Sequence, residues 1–326
     1  MKKFFGLLIL VGLLASCDDG DVTVDTITFD DVDAKTCGLL VYKLTENQAM
    51  IITLPSGSDA FVNEPTAAGN PRTKTIGGGI NVTFRTYSGT VTDPVLCTTP
   101  APISPIATTE WLATAGTVEI TTTPVYSEPN PETGQIRLNR YRHAVVFRNI
   151  KFAKPDGTDQ SYSEYVFGNY FTNPTYSLPL SFVPENVALC PSTNTFYNAQ
   201  NGGKEGLYIQ NFDAALLSTD NLGVAKTAVI GQANNRVVYR YFIGTLPSGG
   251  NQDYFCSSGT TLATPPGTAE EWIAADGNNG NGIVEVTTTL FGSGYKHTIR
   301  LRGVTFVKGA SSFYYGNDIL IGELIQ

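Results

Sequence analysis

The sequence contains two histidines, and they stand in matching surroundings. His143 and His297 each follow a tyrosine by two residues and precede apolar residues at alternate positions, such as Val145 and Ile299. In an extended strand this spacing places the histidine and the apolar side chains on one inward face. Neither histidine has a second histidine or a carboxylate cluster beside it in the chain. We therefore expect two core histidines, each with a backbone or carboxylate partner, and no metal site.

The two tryptophans are matched in the same way. Trp111 lies in Thr-Glu-Trp-Leu-Ala and Trp272 in Glu-Glu-Trp-Ile-Ala, and a glycine follows each of them five residues later. An exposed indole ring stacks on sugars, so Trp111 and Trp272 are candidate ligand-binding residues for a glycan. The alternative is that each ring fills the end of a β-domain. Filling is favoured because these are the only tryptophans and both recur at one place.

Repeated carboxylates are the remaining candidates for chemistry. Glu110 matches Glu271, and Glu119 matches Glu285. A glycosidase needs two carboxylates that flank a cleft, whereas one of these pairs is expected on a helical turn and the other on the polar face of a strand. The sequence has no nucleophile-elbow, zinc-protease, phosphate-loop or dinucleotide motif. We therefore expect a protein that is not an enzyme and needs no cofactor, with a secreted hydrolase as a further alternative.

All these matches belong to one internal repeat with a period of roughly 155 residues. Cys97 and Cys256 precede the two tryptophans by 14 and 16 residues. Farther on, Val-Glu-Ile-Thr-Thr-Thr starting at Val118 matches Val-Glu-Val-Thr-Thr-Thr starting at Val284. The order of the motifs is the same in both copies. The chain is therefore predicted to hold two copies of one domain.

The cysteines fit this division. Apart from Cys17, which lies near the N-terminus, four cysteines remain and allow three pairings. The repeat favours one disulfide in each copy, joining Cys37 to Cys97 and Cys190 to Cys256. A zinc site made by all four thiols is the rival interpretation, but the sequence lacks the short paired spacing of such sites.

The sequence predicts an all-β fold. Alternating polar and apolar residues recur between turns rich in Gly and Pro, as in half-buried strands. We expect two tandem homologous Ig-like β-sandwich domains, spanning 37–182 and 183–326. Each has one short helix, at 109–113 and 270–275, stopped by Gly116 or Gly277. The stretch 276–282 is expected to be a surface insertion, with a calcium loop as the alternative.

The first sixteen residues are typical of a signal peptide. Two lysines precede an apolar run at 4–14, which is too short to span a bilayer. The run ends in Leu-Ala-Ser-Cys17, which resembles a bacterial lipobox. The resemblance implies cleavage before Cys17 and attachment of lipid to its sulfur. An ordinary secretory signal is the alternative.

An acidic stretch follows the lipobox. Residues 17–36 contain seven aspartates and a single lysine, so like charges keep the stretch extended as a tether. The start, Cys-Asp-Asp-Gly-Asp, resembles the surface-export signal of Bacteroidota lipoproteins, which implies the outer membrane and its cell-surface face. The whole chain carries a net charge of −8. This charge argues against nucleic acid as a partner, because phosphate binding requires a basic surface.

Together these features resemble uncharacterised surface lipoproteins of flavobacteria and their relatives. The layout of anchor, spacer and serial sandwich domains is also similar to that of the starch-utilisation surface lipoproteins. We expect a non-enzymatic accessory or scaffold subunit, held in the outer membrane by lipid on Cys17 and bound to an integral outer-membrane protein. Glycan binding through Trp111 and Trp272 is the alternative function.

Overall fold

The computed structural model describes residues 27–29, 32–200, 202–247, 251–256 and 266–326. Strands dominate this part of the chain, as the alternating patterns predict, and none of its helices is long and apolar enough to cross a membrane. The predicted signal peptide, the lipidation site Cys17 and the first half of the acidic stretch lie outside the described residues.

The first half of the chain forms an eight-stranded antiparallel sheet with the order β1-β2-β3-β5-β6-β7-β8, and β4 pairs with the second half of β6. A short helix, α1, lies between β5 and β6. The elements are β1 (Lys35–Cys37), β2 (Leu40–Thr45), β3 (Gln48–Thr53), β4 (Arg72–Thr75), β5 (Asn81–Tyr87), α1 (Asp93–Cys97), β6 (Ala107–Tyr126), β7 (Leu138–Ala153) and β8 (Asp159–Thr172).

The second half forms a nine-stranded sheet with the order β9-β10-β11-β13-β14-β16-β15-β12, and β17 also pairs with β16. A 3-10 turn at Ala214–Leu217 follows β11. The elements are β9 (Val187–Cys190), β10 (Thr195–Ala199), β11 (Glu205–Gln210), β12 (Ala225–Val229), β13 (Arg236–Phe242), α2 (Asn251–Cys256), β14 (Thr268–Ala274), β15 (Ile283–Phe291), β16 (Gly294–Lys308) and β17 (Ser311–Ile325).

The two sheets repeat one topology. β1, β2, β3, β5 and α1 correspond in order to β9, β10, β11, β13 and α2, and β7 and β8 correspond to β16 and β17. The long strand β6 corresponds to β14 and β15 together, because both of these pair with β16. The stretch 276–282, which only the second copy contains, separates β14 from β15.

Each sheet curls around its own apolar core and gives a β-sandwich-like half. In β7, Tyr141, His143, Val145 and Phe147 are buried, and the residues between them are more exposed. A smaller apolar cluster lies on the other face of β2, β3 and β5, beneath α1, and the second half has a matching cluster beneath α2. This period-two burial is what a sheet with one face in the core requires.

The predicted helices at 109–113 and 270–275 are wrong. Both segments are strand, in β6 and β14, where Trp111 pairs with Phe84 and Trp272 with Tyr239. Their backbone groups are needed in the ladder, and the tryptophan must point inward while the preceding glutamate points out. The actual helices, α1 and α2, each end at the second cysteine of a disulfide.

The prediction that Gly116 stops a helix is therefore wrong too. Gly116 has φ +124° and lies where the register between β6 and β7 shifts, and a Cβ there would come within 2.8 Å of the Ile150 Cα. Gly116 therefore allows a β-bulge to bend β6 closely over β7. In the second copy the inserted stretch 276–282 stands at the same place and breaks the strand.

The predicted domain boundaries are shifted by a few residues. Ile27 and Phe29 are buried in the first core, so the end of the predicted tether, 17–36, belongs to the first sheet. Likewise Leu180 is buried in the second core and Phe182 packs against it. Phe29 and Phe182 each stand eight residues before the first disulfide cysteine of their half. Each half is therefore completed by a short apolar segment ahead of its first strand.

A junction joins the two halves. The long loop 127–137 between β6 and β7 reaches the second sheet, where the Ile136 N–H donates to the Tyr314 carbonyl at 3.0 Å. The Asn317 N–H donates to the Thr133 carbonyl at 2.7 Å. The Tyr126 hydroxyl donates to the Ser312 carbonyl at 2.5 Å. Tyr126, Ile136 and Leu138 also pack against the second core. Apolar packing and backbone hydrogen bonds together hold the halves to each other.

Candidate binding cleft

Each half is closed by one disulfide, as the repeat predicts. Cys37 is bonded to Cys97 with Cα atoms 5.7 Å apart, and Cys190 to Cys256 with Cα atoms 5.3 Å apart. Each bridge ties the first strand of a sheet to the end of its helix, beside the smaller apolar cluster. The cysteines are therefore used in disulfides and not in a zinc site.

Both tryptophans are buried and neither offers an exposed ring face. Trp111 is 7% exposed and packs against Phe84 with ring centroids 4.9 Å apart. Trp272 is 3% exposed and packs edge-on against Phe313 at 5.0 Å. A lysine ammonium lies over each ring, Lys154 at 4.4 Å and Lys308 at 5.8 Å from the centroid. Each ring is therefore packed within its own half, as in the alternative that the sequence favours, and neither forms an open platform on which a sugar could stack.

The repeated carboxylates form cross-strand ion pairs. Glu110 pairs with Arg85 at 2.5 Å and Glu271 with Arg240 at 2.5 Å, on equivalent strands of the two halves. The second set is also repeated, since Glu119 pairs with Arg148 at 2.8 Å and Glu285 with Arg302 at 2.6 Å. The ladders place these pairs at separate points along β6, β14 and β15, so each glutamate has a basic partner of its own.

His143 lies in the core, on the inward face that the sequence predicts, and its partners are hydroxyl groups. Its Nδ1 is 2.9 Å from the Thr122 Oγ1, and its Nε2 is 2.9 Å from the Thr172 Oγ1. The Arg72 guanidinium donates to the Thr122 Oγ1 at 3.2 Å. The Thr172 hydroxyl gives its single proton to the Asn63 Oδ1, so it accepts from the Nε2–H of His143. In the neutral ring Nδ1 is then the acceptor, and the Thr122 hydroxyl donates to it. Burial, assisted by the Arg72 charge, lowers the pKa of His143 to about 4.

The hydrogen-bond chain does not stop at His143. The Thr172 hydroxyl donates to the Asn63 Oδ1, and the Asn63 amide donates to the Asn173 carbonyl at 2.7 Å. In the second half, His297 has the equivalent threonine, with Nδ1 2.9 Å from the Thr288 Oγ1. Burial lowers the pKa of His297 as well, and a hydrogen bond with Gln326 opposes that shift.

A concavity with a volume of about 960 Å³ lies at the junction. Its walls come from both halves and from the segment that connects them. Trp272, Phe313 and the Lys308–Glu270 ion pair form the side that belongs to the second half. The lining from the first half and the connecting segment includes Asn63, Glu64, Arg137, Asn139, Tyr141, Asn173, Tyr176 and Leu178.

The junction side of this cleft is held in place by polar contacts. The Tyr141 hydroxyl is buried 3.1 Å from the Ser311 Oγ, across the junction, and burial raises its pKa. The Arg137 guanidinium donates to the Leu178 carbonyl at 3.1 Å and to the Pro179 carbonyl at 3.2 Å. The connecting segment is fixed further by Glu205, whose carboxylate accepts from the Leu180 N–H at 2.9 Å. Burial raises the pKa of Glu205.

A smaller concavity of about 470 Å³ occupies the equivalent place in the first half. Trp111, Thr109 and Lys154 line it at positions that match Trp272, Glu270 and Lys308. Ile27 from the N-terminal segment lines it too. No second domain covers it within the described residues, so the junction is what enlarges the Trp272 site.

The sequence marks Trp272 as a candidate ligand-binding residue but does not predict the cleft that this residue helps to line, and the Glu270 of the cleft is not among the predicted residues. Asn63, Tyr176 and the β7 residues Asn139 and Tyr141 come from three segments, and the junction places them opposite Trp272. Tyr141 belongs to the repeated motif as the tyrosine two residues before His143. Comparison of the chain with protein-family models, with curated proteins and with solved structures finds no match.

Proposed function

We propose that this protein is a non-enzymatic lipoprotein of the outer-membrane surface, anchored by lipid on Cys17 and acting as an accessory or scaffold subunit beside an integral outer-membrane protein. In this proposal each half is an Ig-like β-sandwich domain, and the two arose by tandem duplication. The repeated topology, the repeated disulfides and the repeated ion pairs support the duplication.

The observation that carries the scaffold role is the end-to-end arrangement of the halves. β7 has Leu138 at the junction, and its other end, Ala153, precedes Lys154, which lies over Trp111. Its 16 residues span about 50 Å. Ile27 lines the concavity beside Trp111, so the N-terminal segment enters at the end of the first half that is remote from the junction. The second half is thus carried away from the proposed membrane anchor.

A pull-down tests the scaffold role directly. The tagged, lipid-modified protein is recovered from solubilised outer membrane, and the co-purifying proteins are identified by mass spectrometry. The proposal expects a stoichiometric integral outer-membrane protein. A Cys17→Ala variant is the control, since it should leave the membrane fraction and lose that partner. Recovery of the lipoprotein alone, at wild-type abundance in the membrane, would contradict the scaffold role.

Glycan binding is the second candidate function. The buried tryptophan faces do not favour two open platforms. One observation does favour this candidate: Trp272 lines a large cleft in which aromatic, amide and hydroxyl groups meet. This candidate is tested by ligand binding rather than by pull-down, so the two functions can fail separately.

A further inference from the structure

We propose that the junction cleft is a binding site for a neutral, hydroxyl-rich ligand, namely a short glycan held between the two halves. This inference rests on the glycan-binding candidate and replaces its two separate tryptophan platforms with one composite site. The cleft has a volume of about 960 Å³, which is at the upper end of the range of ligand pockets in proteins.

The charges around the cleft favour a neutral ligand. Two basic groups, Arg137 and Lys308, face two acidic groups, Glu64 and Glu270, so the lining has no net charge. The Lys308 ammonium is paired with the Glu270 carboxylate, and the Arg137 guanidinium donates to two carbonyls of the connecting segment. Glu64 is exposed at the rim, where water screens it. An anionic ligand would have to displace the partners of Lys308 or Arg137, whereas a neutral ligand would leave these contacts intact.

The neutral polar groups of the cleft are suited to hydroxyl partners. Asn139 and Asn173 are exposed and supply amide groups that both donate and accept hydrogen bonds, as sugar hydroxyls do. Asn63 is fixed by the chain of hydrogen bonds that runs from Arg72 through His143. Because that chain is satisfied along its whole length, the Asn63 wall is preorganised, and less ordering is needed when a ligand binds.

Aromatic side chains supply the apolar part of the lining. Tyr176 is half-buried in the connecting segment beside Tyr241, with ring centroids 5.7 Å apart. Trp272 and Phe313 lie on the side of the second half. The indole N–H of Trp272 is buried and has no hydrogen-bond acceptor among the described residues. Unsatisfied buried donors are uncommon in folded proteins, and this one belongs to a side chain of the cleft wall.

Single-tryptophan fluorescence tests this inference, because the chain has only two tryptophans. The lipid-modified protein is purified in a detergent without a sugar headgroup, as Trp111→Phe and as Trp272→Phe. Each variant is titrated with neutral tetra- to hexasaccharides of glucose, xylose and mannose, with an acidic oligogalacturonate and with a fatty acid. We expect a saturable change in Trp272 emission with a neutral glycan, and none in Trp111 emission.

Site variants separate the possible outcomes. Asn139→Ala and Tyr176→Ala, made in the Trp111→Phe background, should each weaken glycan binding about tenfold. Lys154→Ala, beside Trp111, is the matched control and should bind normally. If the cleft variants bind glycan normally and glycan changes only the emission of Trp111, the cleft is not the binding site, although the protein still binds glycans. A saturable response only to the acidic glycan or the fatty acid would contradict a neutral ligand. If no glycan binds, both the cleft site and the glycan-binding function are contradicted.

Discussion

The two tryptophan sites show how one structural unit acquires different surroundings in its two copies. Trp111 and Trp272 occupy the same strand position, each faces an aromatic residue across the ladder, and each has a lysine over its ring. The first site is a concavity of about 470 Å³ beside the N-terminal segment, whereas the second is enlarged by the neighbouring half to about 960 Å³. The difference arises from a junction and not from the unit itself.

The loops between the long strands differ in the two halves of the described chain. In the first half, β6 and β7 are joined by the long loop 127–137, which carries Ile136 and Thr133 to the second sheet. In the second half, β15 and β16 are joined by Gly292 and Ser293 alone. A turn of one glycine and one serine is too short to reach and cover a neighbouring half. Within the described residues, the repeated topology therefore carries a long connecting loop at this point only in the first half.

The largest expected effect is on the buried tryptophans themselves. Trp111→Ala and Trp272→Ala should each lower the free energy of unfolding by about 3–5 kcal/mol, because each leaves a large cavity in a core. Trp272→Ala should cost more, since Trp272 also lies beneath the junction. Urea denaturation with Phe and Tyr emission and circular dichroism measures both. Equal and small losses, within about 0.5 kcal/mol, would show that the rings are exposed.

Disulfide removal should affect the two halves to a similar extent. The bridges close loops of 60 and 66 residues, so loss of either should lower the free energy of unfolding of its half by about 4 kcal/mol. The paired variants Cys37→Ala/Cys97→Ala and Cys190→Ala/Cys256→Ala are compared by calorimetry. A shift confined to the half that carries the substitutions is expected. If removing one bridge unfolds both halves together, the halves are a single cooperative unit.

His143 should make stability depend on pH in a defined window. The pKa of His143 is about 4 in the folded protein and 6.5 in an ordinary setting, so the unfolded chain binds the extra proton first as the pH falls. The neutral ring stabilises the fold fully above pH 6.5, and about 3 kcal/mol of this stabilisation is lost as the pH falls from 6.5 to 4.

The matched variants are His143→Gln and His297→Gln, studied by urea denaturation at several pH values. Subtracting each curve from that of the wild type isolates one histidine, because the other titrating groups are common to both proteins. His143→Gln should remove the larger part of the dependence. A wild-type protein whose stability rises as the pH falls through this window would contradict the neutral, hydroxyl-bonded His143.

The repeated ion pairs should have the smallest effect. Glu110→Gln and Glu271→Gln each break one cross-strand pair whose side chains are about one-third exposed. Each should cost about 0.2–1 kcal/mol, with the larger values at low salt. Chemical denaturation at two salt concentrations measures this. A loss of several kcal/mol at one site alone would show that the two pairs are not equivalent.

Much of the fold follows from the sequence, because a motif that occurs twice gives two indications of the same local structure. The alternation around His143 and His297 predicts strands with a buried face, and the repeat selects one disulfide pairing among three. The segments around the two tryptophans are predicted as helical turns but are strands, and their sequence alone does not distinguish the two. A Glu-Glu-Trp-Ile-Ala stretch suits either conformation, and the ladder with β13 decides it.

The cleft was beyond the reach of sequence reasoning for a different reason. Asn139 and Tyr141 share β7, but Asn63 and Tyr176 lie far from them in the chain, and only Tyr141 stands in a repeated motif. The cleft that they form with Trp272 and Phe313 depends on how the first half packs against the second, which no local sequence pattern predicts. The short apolar segments at Ile27 and Leu180 were missed for a related reason, since an isolated apolar pair gives no period.

Hydrogen exchange at the junction tests most directly the claim that the two halves are docked end to end. The amides of Ile136 and Asn317 donate to carbonyls of the opposite half, and the amide of Val145 in β7 serves as an internal reference for a core ladder. In the intact protein, residue-resolved exchange should be slow at all three amides. Fast exchange at Ile136 and Asn317 beside a protected Val145 would show that the halves are not docked, and neither the rigid scaffold nor the composite cleft would then stand.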